Sequence, residues 1–167
     1  MHFQLLVVLA LTGGALATKF CSKGDAAIVM EQWSALYNQD ASGMTKLLIG
    51  RQIFDSLFDR VPAAVGLFNR VNVADRNSGG FSAHIMRVIG GLDISINSLG
   101  AQCTLSSITS HLLAQHVVRD GVTKGGFAMM GEVLVSSLEQ LVEDFNPDVW
   151  RNCLMPILNA MSKDLPA

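Results

Sequence analysis

Hydrophobic residues between positions 81 and 121 recur at helical spacing in two segments, and each segment contains a histidine. The apolar stripe that begins beside His84 comprises Ile85, Val88, Ile89, Leu92 and Ile96. The second stripe comprises Leu105, Ile108, Leu112 and Leu113, and it ends one turn later at His116. Spacings of three and four residues place such positions on one face of an amphipathic helix. The pattern therefore predicts two helices that each direct an imidazole inward, with a slot between them.

Two inward-facing histidines have an ordinary and a functional interpretation. A histidine on an apolar face is often a core residue whose ring is hydrogen-bonded to a neighbour. The same placement suits an imidazole that binds a metal ion or a cofactor. Spacing alone does not distinguish these interpretations, so both stay open at this point.

Helical periodicity continues on the amino-terminal side of this stretch. A capping box formed by Ser22 and Asp25 predicts the start of one helix. Residues 45–60 predict a second helix, which Pro62 ends or restarts. The polar residues 72–80 then predict a mobile surface loop.

The carboxyl-terminal third is helical in the same way. Arg119 is expected in the last turn of the His116 helix, where a cation suits the helix dipole. Residues 122–143 predict a long helix, and Pro147 starts a final helix that contains Pro156. No segment shows the alternation of a strand, so the predicted class is all-α with about seven helices.

Composition narrows the classes of function. The chain is 50% hydrophobic and 16% charged, with a net charge of −2 and a pI of about 6.0. No Lys/Arg cluster is present to neutralise phosphates, which argues against a nucleic-acid partner. Residues 18–167 have the length of one domain with a single core.

The first 17 residues predict a leader. An uncharged apolar run over residues 3–17 ends in Ala15-Leu16-Ala17, the small-x-small pattern of a signal-peptidase site. No second apolar run of about 20 residues follows, so no membrane span is expected. We therefore interpret residues 1–17 as a signal peptide and the protein as secreted and extracellular.

Three cysteines in a secreted chain predict one disulfide and one remaining thiol. A bond between Cys21 and Cys153 would tie the two ends of the domain together. Cys103 is then the odd residue, and its small and polar neighbours predict an exposed turn between the two histidine helices. No CxxC or His/Cys cluster has the spacing of a structural zinc site.

Several short motifs occur along the chain: Gly50 to Phe58, Val61-Pro62, Leu67-Phe68 with Arg70, Phe81 to Val88, Gly90 to Asp93, and His111 to Val122. Together these motifs resemble the globin family, and more closely the secreted chains of the giant extracellular haemoglobins of annelid worms. The resemblance covers residues 18–167 almost completely. This resemblance implies a globin fold of about seven to eight helices around haem b, that is, iron protoporphyrin IX.

The resemblance also implies roles for individual residues. His116 matches the proximal histidine that binds the haem iron, with His111 as the competing position, and His84 matches the distal histidine. Arg70 and Arg87 are candidates for the haem propionates, although each would also suit a solvated helix edge. The implied pocket residues are Phe54, Phe68, Val88, Leu92, Leu112, Val122 and Phe127.

The implied function is reversible O₂ transport rather than catalysis. The expected partners are other globin chains and non-globin linker chains of a large complex. A haem peroxidase-like globin, a sulfide-binding globin that uses a free cysteine, and a helical lipid carrier without haem are the alternatives. For Cys103 the expectation is a disulfide to another chain, with a free thiol as the alternative.

Overall fold

The computed structural model describes residues 21–38 and 40–167, and within these ranges the protein is entirely helical. It contains one 3₁₀ helix, Pro62–Val71. The α-helices are α1 (Lys23–Leu36), α2 (Gly43–Arg60), α3 (Gly79–Ile96), α4 (Gln102–His116), α5 (Lys124–Leu138) and α6 (Pro147–Ser162). These seven helices, with no strand in the described ranges, confirm the all-α prediction. The predicted signal peptide lies outside the described residues.

The helix starts follow the local signals in the sequence. The Ser22 hydroxyl accepts from the Asp25 N–H at 3.0 Å, and the Asp25 carboxylate accepts from the Ser22 N–H at 3.3 Å. This reciprocal capping satisfies two of the amide donors that a helix leaves free at its first turn. Asn146 caps α6 in a similar way, with Pro147 at the first helical position. Pro156 lies inside α6, which continues through it to Ser162.

The carboxyl-terminal ends of two helices differ from those predicted. Helix α5 ends at Leu138 rather than near residue 143. The carbonyls of Glu143 and Asp144 instead accept hydrogen bonds from the Gln32 side chain on α1, at 3.1 and 3.2 Å. Helix α4 ends at His116, so the prediction that Arg119 lies in its last turn is wrong. Gly121, with φ of 80°, completes the turn that follows.

Residues 72–80 are not wholly a surface loop. Ser78 caps α3, which therefore begins at Gly79, inside the predicted loop. Val73 is buried to 3% exposure and joins the hydrophobic core. Cys103 is also placed differently from the prediction, because it lies in the first turn of α4 rather than in the preceding turn.

Helices α2 and α3 pack closely at Gly50, and this contact sets the position of the helix that carries His84. A Cβ atom added at Gly50 would lie 2.9 Å from Cγ1 of Ile89 and closer still to Ile85. Any larger residue would force the helices apart, because backbone and branched side chains cannot yield that much. The Phe54 and His84 side chains face each other as a result.

A disulfide joins Cys21, before α1, to Cys153 in α6, the pair expected from the sequence. Cys153 is fully buried and belongs to the same hydrophobic core as the two largest fully buried side chains, Trp33 and Trp150. The bond therefore fixes the amino-terminal end of the described chain to the centre of the last helix. No described helix is long and apolar enough to cross a membrane.

Candidate functional site

His116 is the last residue of α4, and its ring is held by the backbone one turn earlier. Its Nδ1 lies 2.7 Å from the carbonyl oxygen of Leu112. Because a carbonyl only accepts, Nδ1 is the protonated nitrogen of the neutral ring, and Nε2 keeps a free lone pair. Burial lowers the pKa of His116, partly offset by the bond to Leu112. The site thus holds a neutral, oriented imidazole of the kind that binds a transition metal.

Phe127 on α5 fixes the other side of this ring. The ring centroids of Phe127 and His116 lie 4.9 Å apart at an interplanar angle of 87°. Such an edge-to-face arrangement is favourable for two aromatic rings. The imidazole of His116 is consequently restrained both by a hydrogen bond and by an aromatic contact.

His84 on α3 is in a different electrostatic state. Burial lowers its pKa to about 4, and the charges of Arg87 and Arg119 add to that effect, so the ring is neutral at pH 7. Its Nε2 is buried and has no hydrogen-bond partner in the described part of the protein. A buried polar atom without a partner is unfavourable, so this nitrogen fits a polar ligand that enters the site.

Aromatic rings surround His84. The centroids of Phe68, Phe54 and Phe81 lie 5.4, 5.7 and 6.5 Å from that of His84. Phe58 completes the cluster behind them, 5.5 Å from Phe68. We call these four phenylalanines the aromatic wall. Of its members, Phe58 and Phe81 were not predicted as site residues, although Phe58 follows Phe54 by one helical turn and Phe81 precedes His84 by three residues.

The remaining predicted pocket residues lie on the two helices that carry the histidines or in the turn that follows α4. Val88 is partly buried and Leu92 is buried, one and two turns after His84 on α3. Leu112 is the nearest neighbour of a Cβ added at Gly91, at 3.7 Å, so α3 and α4 approach each other here. Val122 lies half-buried between α4 and α5.

Three arginines converge on the edge of the site. Burial lowers the pKa of His84, and the charges of Arg70, Arg87 and Arg119 lower it further. Burial also lowers the pKa of Arg119, and the charges of Arg70 and Arg87 add to that effect. Within the described residues, none of the three guanidinium groups makes a hydrogen bond or a salt bridge. Arg70 and Arg87 were predicted, whereas Arg119 was assigned only to the helix dipole. Like charges without a counterion favour an anionic ligand.

His111 and Cys103 lie outside this cluster. His111 is exposed, and its Nε2 lies 2.8 Å from Nε2 of Gln115 on the same helix. Cys103 is exposed and forms no disulfide in the structure. Among the described residues, no group of three or more histidine, cysteine, aspartate or glutamate side chains is placed to hold a metal ion.

Comparison with known proteins agrees with this geometry. The family model "Globin" matches residues 51–161, which include both histidines and the aromatic wall. The chain belongs to the globin family. The helical structure described above is consistent with the globin fold, and the family resemblance noted from the sequence motifs is confirmed.

This globin has annelid relatives of similar length. Extracellular globin-3 of Lumbricus terrestris is 36% identical over 167 residues, which covers 98% of each chain. Extracellular globin-4 of the same worm is 36% identical over 146 residues, or 87% of this chain and 96% of that one. An extracellular monomeric globin of Tubifex tubifex is 29% identical over 133 residues, or 80% of this chain and 92% of that relative.

Proposed function

We propose that this globin is a secreted carrier that binds haem b between α3 and α4 and takes up O₂ reversibly. The observation that carries the proposal is the contrast between its two half-buried histidines, His84 and His116. His116 has one ring nitrogen committed to a carbonyl, whereas His84 has a buried nitrogen with no partner. One group is thereby suited to hold a metal and the other to meet a polar ligand. When bound, a ferrous haem would supply the iron that takes up O₂.

The residues around His116 would hold the cofactor. Its free Nε2 lone pair would bind the haem iron, and the Leu112 carbonyl orients the ring and raises its basicity. Phe127 keeps the ring from rotating. The neighbouring apolar side chains exclude water, which would otherwise favour oxidation of the ferrous iron.

The residues around His84 would control the ligand. Because the pKa of His84 is lowered to about 4, its neutral ring at pH 7 carries one N–H to donate and no charge. The half-buried Phe68 and the buried Phe54 leave the site apolar except for this ring. A single donor in an apolar surrounding favours binding of a partly charged diatomic molecule over its release.

The three arginines suit the two carboxylates of protoporphyrin IX. Arg70 and Arg87 are exposed, and Arg119 is half-buried. Burial, and then repulsion from Arg70 and Arg87, lowers the pKa of Arg119, and two carboxylates at the edge of the site would relieve that repulsion. We propose that Arg70 and Arg87 contact the propionates, with Arg119 as a third cation nearby.

Replacing His84 by leucine tests the distal role. We expect faster release of O₂ and faster autoxidation, because the donor is lost while the side chain keeps its bulk. A hydrogen bond to a partly charged group contributes about 1.5–3 kcal/mol, which is about tenfold to a hundredfold in the equilibrium. Stopped-flow measurement of O₂ dissociation gives this ratio directly.

His111→Leu is the matched control for that substitution. His111 lies on α4 and is exposed, so its replacement is expected to leave O₂ release unchanged. Equal rates for His84→Leu and the unaltered protein would contradict the distal role of His84 and assign control of the pocket to Phe54.

We further propose that the chain is a subunit of a large extracellular haemoglobin with other globin chains and non-globin linker chains. Its Lumbricus terrestris relatives are extracellular globins, which supports an extracellular location for this chain, and the expected signal peptide over residues 1–17 supports secretion. Mass spectrometry of the native, unreduced assembly would report haem, disulfides and partner chains together.

Cys103 is the expected point of covalent attachment to another chain. Its exposure on α4 leaves the thiol accessible to a partner in an oxidising environment. We expect native protein to migrate as a disulfide-linked species on a non-reducing gel and Cys103→Ser to lose that species. If both migrate as monomers and the native protein titrates one thiol, the covalent partner is contradicted and a free thiol, as sulfide binding requires, is favoured.

A further inference from the structure

Residues 72–78 connect the 3₁₀ helix, which carries Phe68, to α3, which carries Phe81 and His84. Both ends of this segment therefore lead directly into the site. Side chains from α2 hold the segment at two places. Arg51 donates to the Asn77 side chain at 2.5 Å, and Arg76 forms a salt bridge with Asp55 at 2.6 Å.

Arg76 makes a second contact that Arg51 does not make. Its guanidinium carbon lies 4.9 Å from the centroid of the Phe58 ring. Phe58 is buried to 3% exposure, so the guanidinium group covers the side of the ring that faces the segment. Asp55 precedes Phe58 by three residues, so both side chains lie on the same side of α2. The salt bridge to Asp55 therefore holds the Arg76 guanidinium group over the Phe58 ring.

Phe58 contacts every other member of the aromatic wall. Its ring centroid lies 5.5 Å from that of Phe68, 5.9 Å from Phe54 and 6.1 Å from Phe81. Each of those three rings contacts His84 in turn. A displacement of Phe58 would consequently reach His84 through three separate contacts, because close-packed rings have no free volume to absorb it.

We propose that Arg76 is a positioning residue for the ligand site. It holds Phe58 in place from outside, and through Phe58 it keeps the aromatic wall closed around His84. The group never touches the ligand. Arg76 affects how easily a ligand enters the site around His84, so large ligands are excluded more strongly than small ones. This inference rests on the proposed function, since a ligand must enter this site for access to matter.

The structure supplies a matched control for Arg76. Arg51 fixes the same segment to the same helix, with bonds to Asn77 at 2.5 Å and Ser82 at 3.1 Å. Among the described residues, the Arg51 guanidinium makes no cation–π contact with a ring of the aromatic wall, whereas that of Arg76 does. Arg51→Gln therefore weakens the attachment of the segment and leaves Phe58 covered, whereas Arg76→Gln removes the cover.

The experiment compares ligand entry in haem-loaded protein for the unaltered chain, Arg76→Gln, Arg76→Lys and Arg51→Gln. Methyl isocyanide and tert-butyl isocyanide serve as small and large ligands of the iron. For Arg76→Gln we expect tert-butyl isocyanide to associate about five- to tenfold faster, equivalent to about 1–1.4 kcal/mol. Methyl isocyanide should change by less than about twofold, because a small ligand already passes. Arg76→Lys keeps a cation near Asp55 and the ring and should restore most of the size discrimination.

Two results would overturn the proposal. One is an equal change for both isocyanides in Arg76→Gln, which would indicate a general loss of structure. The other is an equal gain in tert-butyl isocyanide entry for Arg51→Gln, because attachment of the segment alone would then explain it. Unchanged midpoints of thermal unfolding in all variants would exclude global destabilisation as the cause.

A second readout does not depend on haem. Nuclear Overhauser contacts between the Phe58 and Phe68 ring protons report the position of Phe58 directly. We expect them to weaken in Arg76→Gln and to persist in Arg51→Gln, and persistence in both variants contradicts the proposal. If the unaltered chain binds no isocyanide, the proposed oxygen-carrier function fails, and this readout still decides whether Arg76 positions Phe58.

Discussion

The His116→Ala protein is expected to be purified without a Soret band. The substitution removes a neutral imidazole whose second nitrogen is free and whose ring is fixed by a backbone carbonyl. His84 does not replace it, because its ring lies on α3 among Phe54, Phe68 and Phe81, where its proposed role is to meet the ligand rather than to hold the iron. Apolar contacts with the porphyrin would remain, but they supply no bond to iron. Visible absorption after haemin addition and gel filtration measures the retained haem.

His111→Ala is the control for this result, because His111 precedes His116 on α4 and is exposed. Its bond to Gln115 is a surface interaction, and we expect an unchanged spectrum. Far-ultraviolet circular dichroism should show that the His116→Ala chain stays helical. A normal oxygenated spectrum from His116→Ala would contradict the assignment of His116 as the iron ligand. Loss of the spectrum in His111→Ala would assign that role to His111 instead.

Removal of the disulfide is expected to give the largest loss of stability. Cys21 and Cys153 are 132 residues apart, so their bond restricts most of the unfolded chain. The chain-entropy model gives about 4–5 kcal/mol for a loop of that length. The Cys21→Ser, Cys153→Ala double variant avoids a hydroxyl at the fully buried Cys153 position. Urea denaturation measures the change in the free energy of unfolding.

Cys103→Ser provides the comparison, since this cysteine is exposed and forms no disulfide in the structure. Its free energy of unfolding should stay within about 0.5 kcal/mol of the unaltered value, as for other surface substitutions. A disulfide variant as stable as Cys103→Ser would show that helix packing, and not the closed loop, holds the ends of the chain. Such a result would contradict our account of the bond.

Local signals in the sequence were sufficient for most of the fold. The Ser22–Asp25 capping box and the Asn146–Pro147 start are complete within a few residues, so sequence alone locates these helix starts. The stripes around His84 and His116 likewise predict two helices, and the structure contains α3 and α4 at these places. These predictions succeeded because the deciding interactions join neighbours in the chain.

The predictions that failed depend on partners distant in the chain. Helix α5 ends at Leu138, and the carbonyls of Glu143 and Asp144 beyond it accept hydrogen bonds from Gln32, more than a hundred positions away. Arg119 belongs with Arg70 and Arg87 only because the turn after α4 packs against the 3₁₀ helix, where a Cβ at Gly121 would lie 2.8 Å from Leu67. The spacing of Phe58 in the sequence is the same as that of an ordinary core residue. Its contacts with the other three rings of the aromatic wall, which only the folded structure shows, identify it as a site residue.

The central claim is reversible O₂ binding at a haem held by His116. Its most direct test is the visible spectrum of the purified, reduced chain under alternating argon and air. We expect a Soret band that shifts between two positions and returns over repeated cycles, with no sustained consumption of added peroxide. Absence of a Soret band would contradict haem binding. Irreversible oxidation at the first exposure to air, together with steady peroxide turnover, would contradict the carrier function and favour a peroxidase-like globin.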